Sequence, residues 1–376
     1  MQVFTWLAIL CWITKKIALA KSHDAMSTSL KKIGTALLVF FAACSVSTLL
    51  SLYFGLSLKA LLTKVLKNML ILVIVSESVS DRRVLRHILF TIIFSSILVT
   101  LDAFIQYFHG SDFLRCFPKA PDGLRACFRN RNGFGGWIMT MLSISLGMLF
   151  SGRLISKRTK KIIFVILVAL LFCLGLTQSR ASWFGFLLGL GTVAYFFLYR
   201  VKSRPKTILL YIAIIAALTF LLPSSIKTRL TSSFHLKGSI LFRANLWKES
   251  INVIEDFPLF GAGLNTYSKV GPYYTEGRGG YYPHNSYLHM TAEIGIVGLF
   301  CFLGFIFRFF DLGLKVFKKS NDFLLLGFLG AILALLGQSL FDVNFYALKM
   351  ATLFWFVLGL AMARISMLNR EKQVPA

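Results

Sequence analysis

Apolar residues in this chain come in blocks of about 20, each ended by Lys, Arg, Gly or Pro, and that is the length a helix needs to cross the hydrocarbon of a bilayer. Eleven spans are predicted, at roughly 3–19, 33–54, 60–79, 87–108, 132–150, 161–178, 181–199, 207–223, 285–307, 323–341 and 348–368. The blocks are rich in Leu and Phe and lack the strict alternation of barrel strands, so the expected fold is an all-α polytopic membrane protein. The third block is the least regular, because Lys59, Lys64 and Lys67 interrupt it. The first block has no basic residue ahead of it and no small-residue cleavage site after Lys15 and Lys16, which argues against a cleaved signal peptide.

Composition agrees with the pattern. Of 376 residues 56% are hydrophobic and only 15% charged, more apolar side chain than one soluble core of this size can hide. Charge then orients the spans. More than half of the 41 Lys and Arg fall in short segments on alternate sides: Lys15–Lys32, Arg82–Arg86, Arg153–Lys161, Arg200–Lys206, Arg308–Lys319 and Arg364–Lys372. Short basic loops stay in the cytoplasm, so the other face carries the two long segments 109–131 and 224–284. The expected division is an N-terminal membrane region, 1–223, a large outer loop, 224–284, and a C-terminal membrane region with a cytoplasmic tail, 285–376.

The formal net charge of +26 is therefore largely a topology signal, and no single soluble basic face for nucleic acid is implied. The outer loops still carry a basic excess. Segment 109–131 has Arg115, Lys119, Arg125, Arg129 and Arg131 against Asp112 and Asp122, which suits an anionic partner. Cys116 and Cys127 share that segment, and whether they form a disulfide is open. No zinc or iron spacing, phosphate loop or Asp-x-Asp pair is present, so neither a metal nor another cofactor is expected.

Loop 224–284 is the most specific region. Ile240, Ala244, Trp247, Ile251 and Ile254 recur at helical spacing, predicting an amphipathic helix with Arg243 one turn before Trp247 and Pro258 ending it. A helix of this kind next to a membrane can also serve as a simple interfacial anchor. A Gly/Tyr-rich segment containing Arg278 follows, and then His284, Asn285 and Ser286 open the next span. A neutral imidazole at that helix start is able to take up a proton, although a lone His there can equally be a capping residue. His289, a turn deeper, reads as helix packing; Glu293 is an acid inside a span, which is costly and usually paired or functional.

Three ordered signatures carry a resemblance. They are Thr177-Gln178-Ser179-Arg180; Arg243-x3-Trp247 followed by Pro258-Leu259-Phe260-Gly261-Ala262-Gly263; and His284-Asn285, nine residues, Gly295-Ile296-Val297-Gly298. Together they resemble the O-antigen ligase and polymerase family of membrane glycosyltransferases over about residues 130–310. Members of that family have a further N-terminal span and both ends cytoplasmic, whereas this chain starts in what corresponds to their second span.

The resemblance implies an inverting, metal-independent transfer at the periplasmic face of the bacterial inner membrane. The donor would be a glycan on undecaprenyl diphosphate and the acceptor, for a ligase, the lipid A-core oligosaccharide. By the same resemblance His284 is the general base, and Arg180 and Arg243 hold the diphosphate. Arg278 joins them as a third diphosphate-binding cation, with Asn285 and Glu293 as supporting residues. Arginine suits this role because its planar fork binds phosphate oxygens in pairs and stays charged. A polymerase using a lipid-linked glycan acceptor is the main alternative, followed by an oligosaccharyltransferase with a protein acceptor and a transporter.

Overall fold

The computed structural model describes residues 2–18, 28–121, 123–152, 154–201, 237–274 and 282–371, and among them there is no β-strand. Among the described residues six helices are long and apolar enough to cross a membrane: Ser29–Leu49, Arg82–His109, Arg131–Phe150, Lys157–Leu176, Ser286–Ser320 and Leu348–Glu371. They coincide with six of the eleven blocks read from the sequence, and the all-α membrane class holds. The count of eleven is not confirmed among the described residues. Thr5–Thr14 and Phe323–Gln338 are apolar but shorter, and block 207–223 lies outside the described residues.

The third block departs from a regular span for a local reason. Helices α3 (Phe54–Ala60) and α4 (Lys67–Ser78) are joined by a π-helical stretch, Leu61–Leu66, that carries Lys64. Such wide turns are rare and concentrate at functional sites.

The chain forms two compact units. One comprises residues 1–85, 242–321 and 343–376. It holds α1 (Gln2–Ala18), α2 (Thr28–Leu49), α3 and α4, most of α9 (Lys237–Asp256), the short α10 (Tyr267–Val270), α11 (Ser286–Ser320) and α13 (Leu348–Glu371). Within it α2 packs on α11, with Phe40 and Phe302 ring centroids 5.6 Å apart, and α13 packs on α4.

The other unit, residues 86–241 and 322–342, holds most of α5 (Arg82–His109), α6 (Arg131–Phe150), α7 (Lys157–Leu176), α8 (Arg180–Val201) and α12 (Phe323–Gln338). Helix α12 lies against α6 and α8 through small residues: a Cβ on Gly147 would sit 2.8 Å from the Gly327 Cα, and one on Gly189 2.6 Å from the Gly330 carbonyl oxygen. Small residues let helix backbones approach closely, which supplies contact where lipid gives no hydrophobic drive. The segment after α5 is pinned by buried polar side chains of that helix. Asp102 accepts from the Phe113 and Leu114 amides, and Gln106 accepts from the Arg125 and Ala126 amides. Arg115 and Arg125 both stack on Phe117, at 4.4 and 5.2 Å, and Cys116 and Cys127 are not joined by a disulfide.

Candidate functional site

Asn285 is the N-cap of α11, its side-chain oxygen accepting from the Tyr287 and Leu288 amides at 2.9 and 3.2 Å. That cap fixes where the helix begins and leaves His284 just outside it, half-buried, with φ at 47°. A non-glycine residue in the left-handed region is strained, at a cost of order 1–3 kcal/mol, and survives where surrounding contacts over-determine it. One such contact is Trp247, whose indole N–H donates to the carbonyl of Pro283 at 2.9 Å. Trp247 belongs to α9, and Arg243 stands one turn before it on the same helix. The first unit thus ties the helix bearing Arg243 to the residue preceding His284.

Helix α9 buries a face that only partly overlaps the one its apolar spacing suggests, with Ile254 packed on the core and Trp247 half-buried. Leu246, Ser250 and Val253 are buried, whereas Ala244 and Ile251 of the expected stripe are exposed. Ser250 meets Tyr267 through a 2.7 Å hydroxyl–hydroxyl bond, so a polar residue occupies the middle of the packed face.

Two of the sequence signatures lock onto each other. Gly295 breaks α11 with φ 71° and ψ 177°. The break releases the Ile296 and Val297 amides and the Ala292 and Glu293 carbonyls from the helical ladder, and buried backbone groups must find other partners. They find them in the turn after α9. Ile296 and Val297 donate to Pro258 and Leu259, while Ala262 and Gly263 donate to Ala292 and Glu293, at 2.9 to 3.3 Å. The Ser47 hydroxyl also donates to the Glu293 carbonyl, at 2.9 Å. The approach leaves no room for side chains: a Cβ on Gly295 would lie 2.0 Å from the Leu259 oxygen, and one on Gly261 2.3 Å from the Glu293 carbonyl carbon.

Beneath this joint lies a buried polar cluster. Glu293 Oε1 stands 3.2 Å from His289 Nε2 and accepts from the Tyr267 amide at 3.2 Å. Tyr267, Tyr282 and Tyr346 surround the His289 ring at 5.1, 5.3 and 5.0 Å, and Tyr282 donates to Tyr346 at 2.6 Å. Lys64 donates to Asn265 at 2.6 Å and lies 3.9 Å over the Tyr346 ring. Burial raises the Tyr267 and Tyr346 phenols above their ordinary value, which keeps both protonated. A cavity of about 110 Å³ is lined by Lys64, Asn68, Asn265, Ser286, His289, Glu293 and Tyr346 over an aromatic floor.

His289 is therefore more than the packing residue the sequence implies. Lys64 and Tyr346 were missed altogether. The signal for Lys64 was present, as a lysine inside an apolar block; its partners lie some 200 and 280 residues along the chain, where no local pattern reaches.

Arg180 lies in the second unit, exposed, as the first residue of α8. The Thr177–Arg180 turn is set by Gln178 at φ 51° and by a buried polar network. Ser179 donates to Asn132, Ser182 donates to Ser179, and Gln338 donates to both Ser182 and the Asn132 carbonyl, all at 2.8 to 2.9 Å. A Cβ on Gly135 would strike the Ser182 hydroxyl at 2.2 Å. Arg278 lies outside the described residues.

The fold and these turns define a helical membrane protein in which glycine turns interlock on the helix whose start carries a histidine. Within that class residues 163–303 match the family model described as O-antigen ligase, so the family resemblance carried by the three signatures is borne out. A Rickettsia conorii protein with a provisional polysaccharide ligase name is 27% identical over 168 residues, 42% of this chain and 40% of its own length. The chain thus spans about two fifths of that curated relative.

Proposed function

We propose that this protein is an O-antigen ligase of the bacterial inner membrane, moving a glycan from undecaprenyl diphosphate to the lipid A-core oligosaccharide at the periplasmic face. The observation that carries the reading is the strained His284 at the α11 N-terminus, held by a segment that Trp247 ties to the helix of Arg243. In the proposed step the acceptor hydroxyl oxygen attacks the anomeric carbon from the face opposite the diphosphate. His284 takes the hydroxyl proton as the new C–O bond forms and the bond to the diphosphate oxygen breaks. The leaving group is already good, so positioning, proton removal and neutralisation of the departing charge suffice.

Arg243 supplies a fixed cation for that charge, and Arg180 and Arg278 are assigned the same role from the family motif and the sequence alone. Asn285 and Glu293 support the site, the first by capping α11 and the second by holding His289 and the Tyr267 amide. The loop 224–284, between the membrane regions 1–223 and 285–376, is the proposed catalytic loop. The lipopolysaccharide gel pattern of a strain lacking this chain tests the reading. Loss of all long chains, with lipid-linked polymer accumulating, is expected. A core bearing a single repeat would make the protein a polymerase instead.

A further inference from the structure

A second binding feature runs along the first unit, away from His284. Lys32, Thr35, Ala36 and Val39 share one face of α2, at steps of three and four residues, and face Ile296, Val297, Phe300, Cys301, Gly304, Phe305, Phe307 and Arg308 of α11 across an open groove of about 760 Å³. The two helices run antiparallel here: Arg308 Nε reaches the Lys32 carbonyl at 3.4 Å, Phe302 meets Phe40 at 5.6 Å, and the Glu293 carbonyl accepts from Ser47 at 2.9 Å. Both cations therefore stand at one end of a groove otherwise lined almost wholly by apolar side chains. From Ile296 to Arg308 is roughly 18 Å at 1.5 Å per helical residue, more than half a bilayer core of ~30 Å. Phe300 and Phe307 are 64% and 75% exposed, so among the described residues nothing covers these groove walls. Its floor opens at Gly304, where an added Cβ would meet nothing within 4 Å.

We propose that this groove binds one anionic phospholipid, an acyl chain lying along α2 and α11 and the phosphate meeting Lys32 and Arg308. Asp311 does not cancel the charge. It lies 4.0 Å from Arg308 Nη1 and is itself paired with Lys315 at 2.8 Å, so Arg308 and Lys315 share one carboxylate and Lys32 adds a further cation at this end of the groove. The polarity of the groove separates this lipid from the proposed donor. A donor diphosphate belongs at the His284 end, whereas Arg308 lies beyond the Gly295 break, a further roughly 20 Å along α11 at 1.5 Å per residue. The far end of the groove is Ile296 and Val297, whose amides hold the carbonyls of Pro258 and Leu259, so occupancy bears directly on the joint between α11 and that turn.

Native mass spectrometry of the full chain in detergent, with phosphatidylglycerol or phosphatidylcholine of the same acyl chains, provides the test. Phosphatidylglycerol should bind about tenfold or more tightly, since each of the two cations near an anionic headgroup is worth roughly fivefold. Lys32→Gln with Arg308→Gln should abolish the preference while leaving weak binding of either lipid. Gly304→Leu should block both lipids by filling the floor. Should Gly304→Leu lower the melting temperature without lipid, the charge variants decide the matter alone. Equal binding of the two lipids to the unaltered chain, or an undiminished preference in the double Gln variant, overturns the proposal. Displacement by undecaprenyl phosphate but not by phosphatidylglycerol also overturns it, and gives the groove to the donor. None of these readouts requires transferase activity, so they stand apart from the test of the ligase reading.

Discussion

The carbonyl oxygen of Leu259 lies 2.0 Å from where a Cβ on Gly295 would stand, and Gly295 itself holds φ at 71°. The two signatures of which these residues are part are thus one structural joint, closed by backbone hydrogen bonds that the helix break makes available. Gly295→Ala should destabilise the protein by about 3 kcal/mol or more, through backbone overlap and positive φ together. Gly34→Ala is the matched control, since a Cβ there meets nothing within 4 Å and helix propensity favours alanine by ~1 kcal/mol. Thermal unfolding in detergent, read by tryptophan fluorescence, checks the pair.

Trp247→Phe keeps an aromatic ring but removes the indole N–H that holds the Pro283 carbonyl. Loss of a hydrogen bond of this kind costs about 1 kcal/mol. The greater effect should be on turnover, because the freed bond lies next to His284. A several-fold fall in kcat with a small change in melting temperature is expected in a ligation assay. An unchanged kcat would separate α9 from the placement of His284.

Much of the architecture was legible before any coordinates, and the reason is that membrane insertion is a local property. A block such as 132–150 announces its helix by length and composition alone. Cap chemistry is local too, and Asn285 stands where the sequence puts it. What was not legible depends on partners distant in the chain. The stripe of Ile240, Ala244, Trp247, Ile251 and Ile254 matches helical spacing, yet only Ile254 of it packs on the Tyr267 cluster while Leu246, Ser250 and Val253 are the fully buried residues, because Tyr267 and its neighbours cover that side. The glycines of the two signatures could be read as motif letters but not as facing backbones. His289 and Lys64 acquire meaning only when Glu293, Asn265 and Tyr346 surround them.

The cluster around Glu293 yields a stability prediction. Glu293→Ala strands the Tyr267 amide and removes the partner of His289, and breaking such a buried pair costs about 3–5 kcal/mol. Glu293→Gln should cost distinctly less, since an amide oxygen can still accept from Tyr267. Because Lys64 lines the same cavity, Lys64→Met combined with Glu293→Gln should depart from additivity by roughly 0.5–3 kcal/mol. Strict additivity in denaturant melts would show that the two charges do not sense each other.

Arg243 is proposed to touch the donor both before and during bond cleavage. Arg243→Ala should therefore weaken donor binding as well as turnover, each by about 1.5–3 kcal/mol for charge-assisted contacts. Arg243→Lys should recover only part, since it keeps the charge and loses the fork. Donor titration at saturating acceptor gives both quantities. Unchanged donor affinity in Arg243→Ala would return Arg243 to an anchoring role on α9.

The proposed chemistry asks nothing of a metal ion, so transfer by the purified protein should survive excess EDTA. Full loss in chelator, restored by magnesium or manganese, would contradict the mechanism and leave the family match intact.

The central claim is that His284 removes the acceptor proton, and the ligation rate of purified His284→Ala at saturating donor and acceptor tests it most directly. A general base acts in the transition state, so kcat should fall by roughly 10²–10⁴-fold with donor binding largely retained. Near-normal turnover in His284→Ala would make His284 a residue of the helix start and nothing more, and would contradict the account.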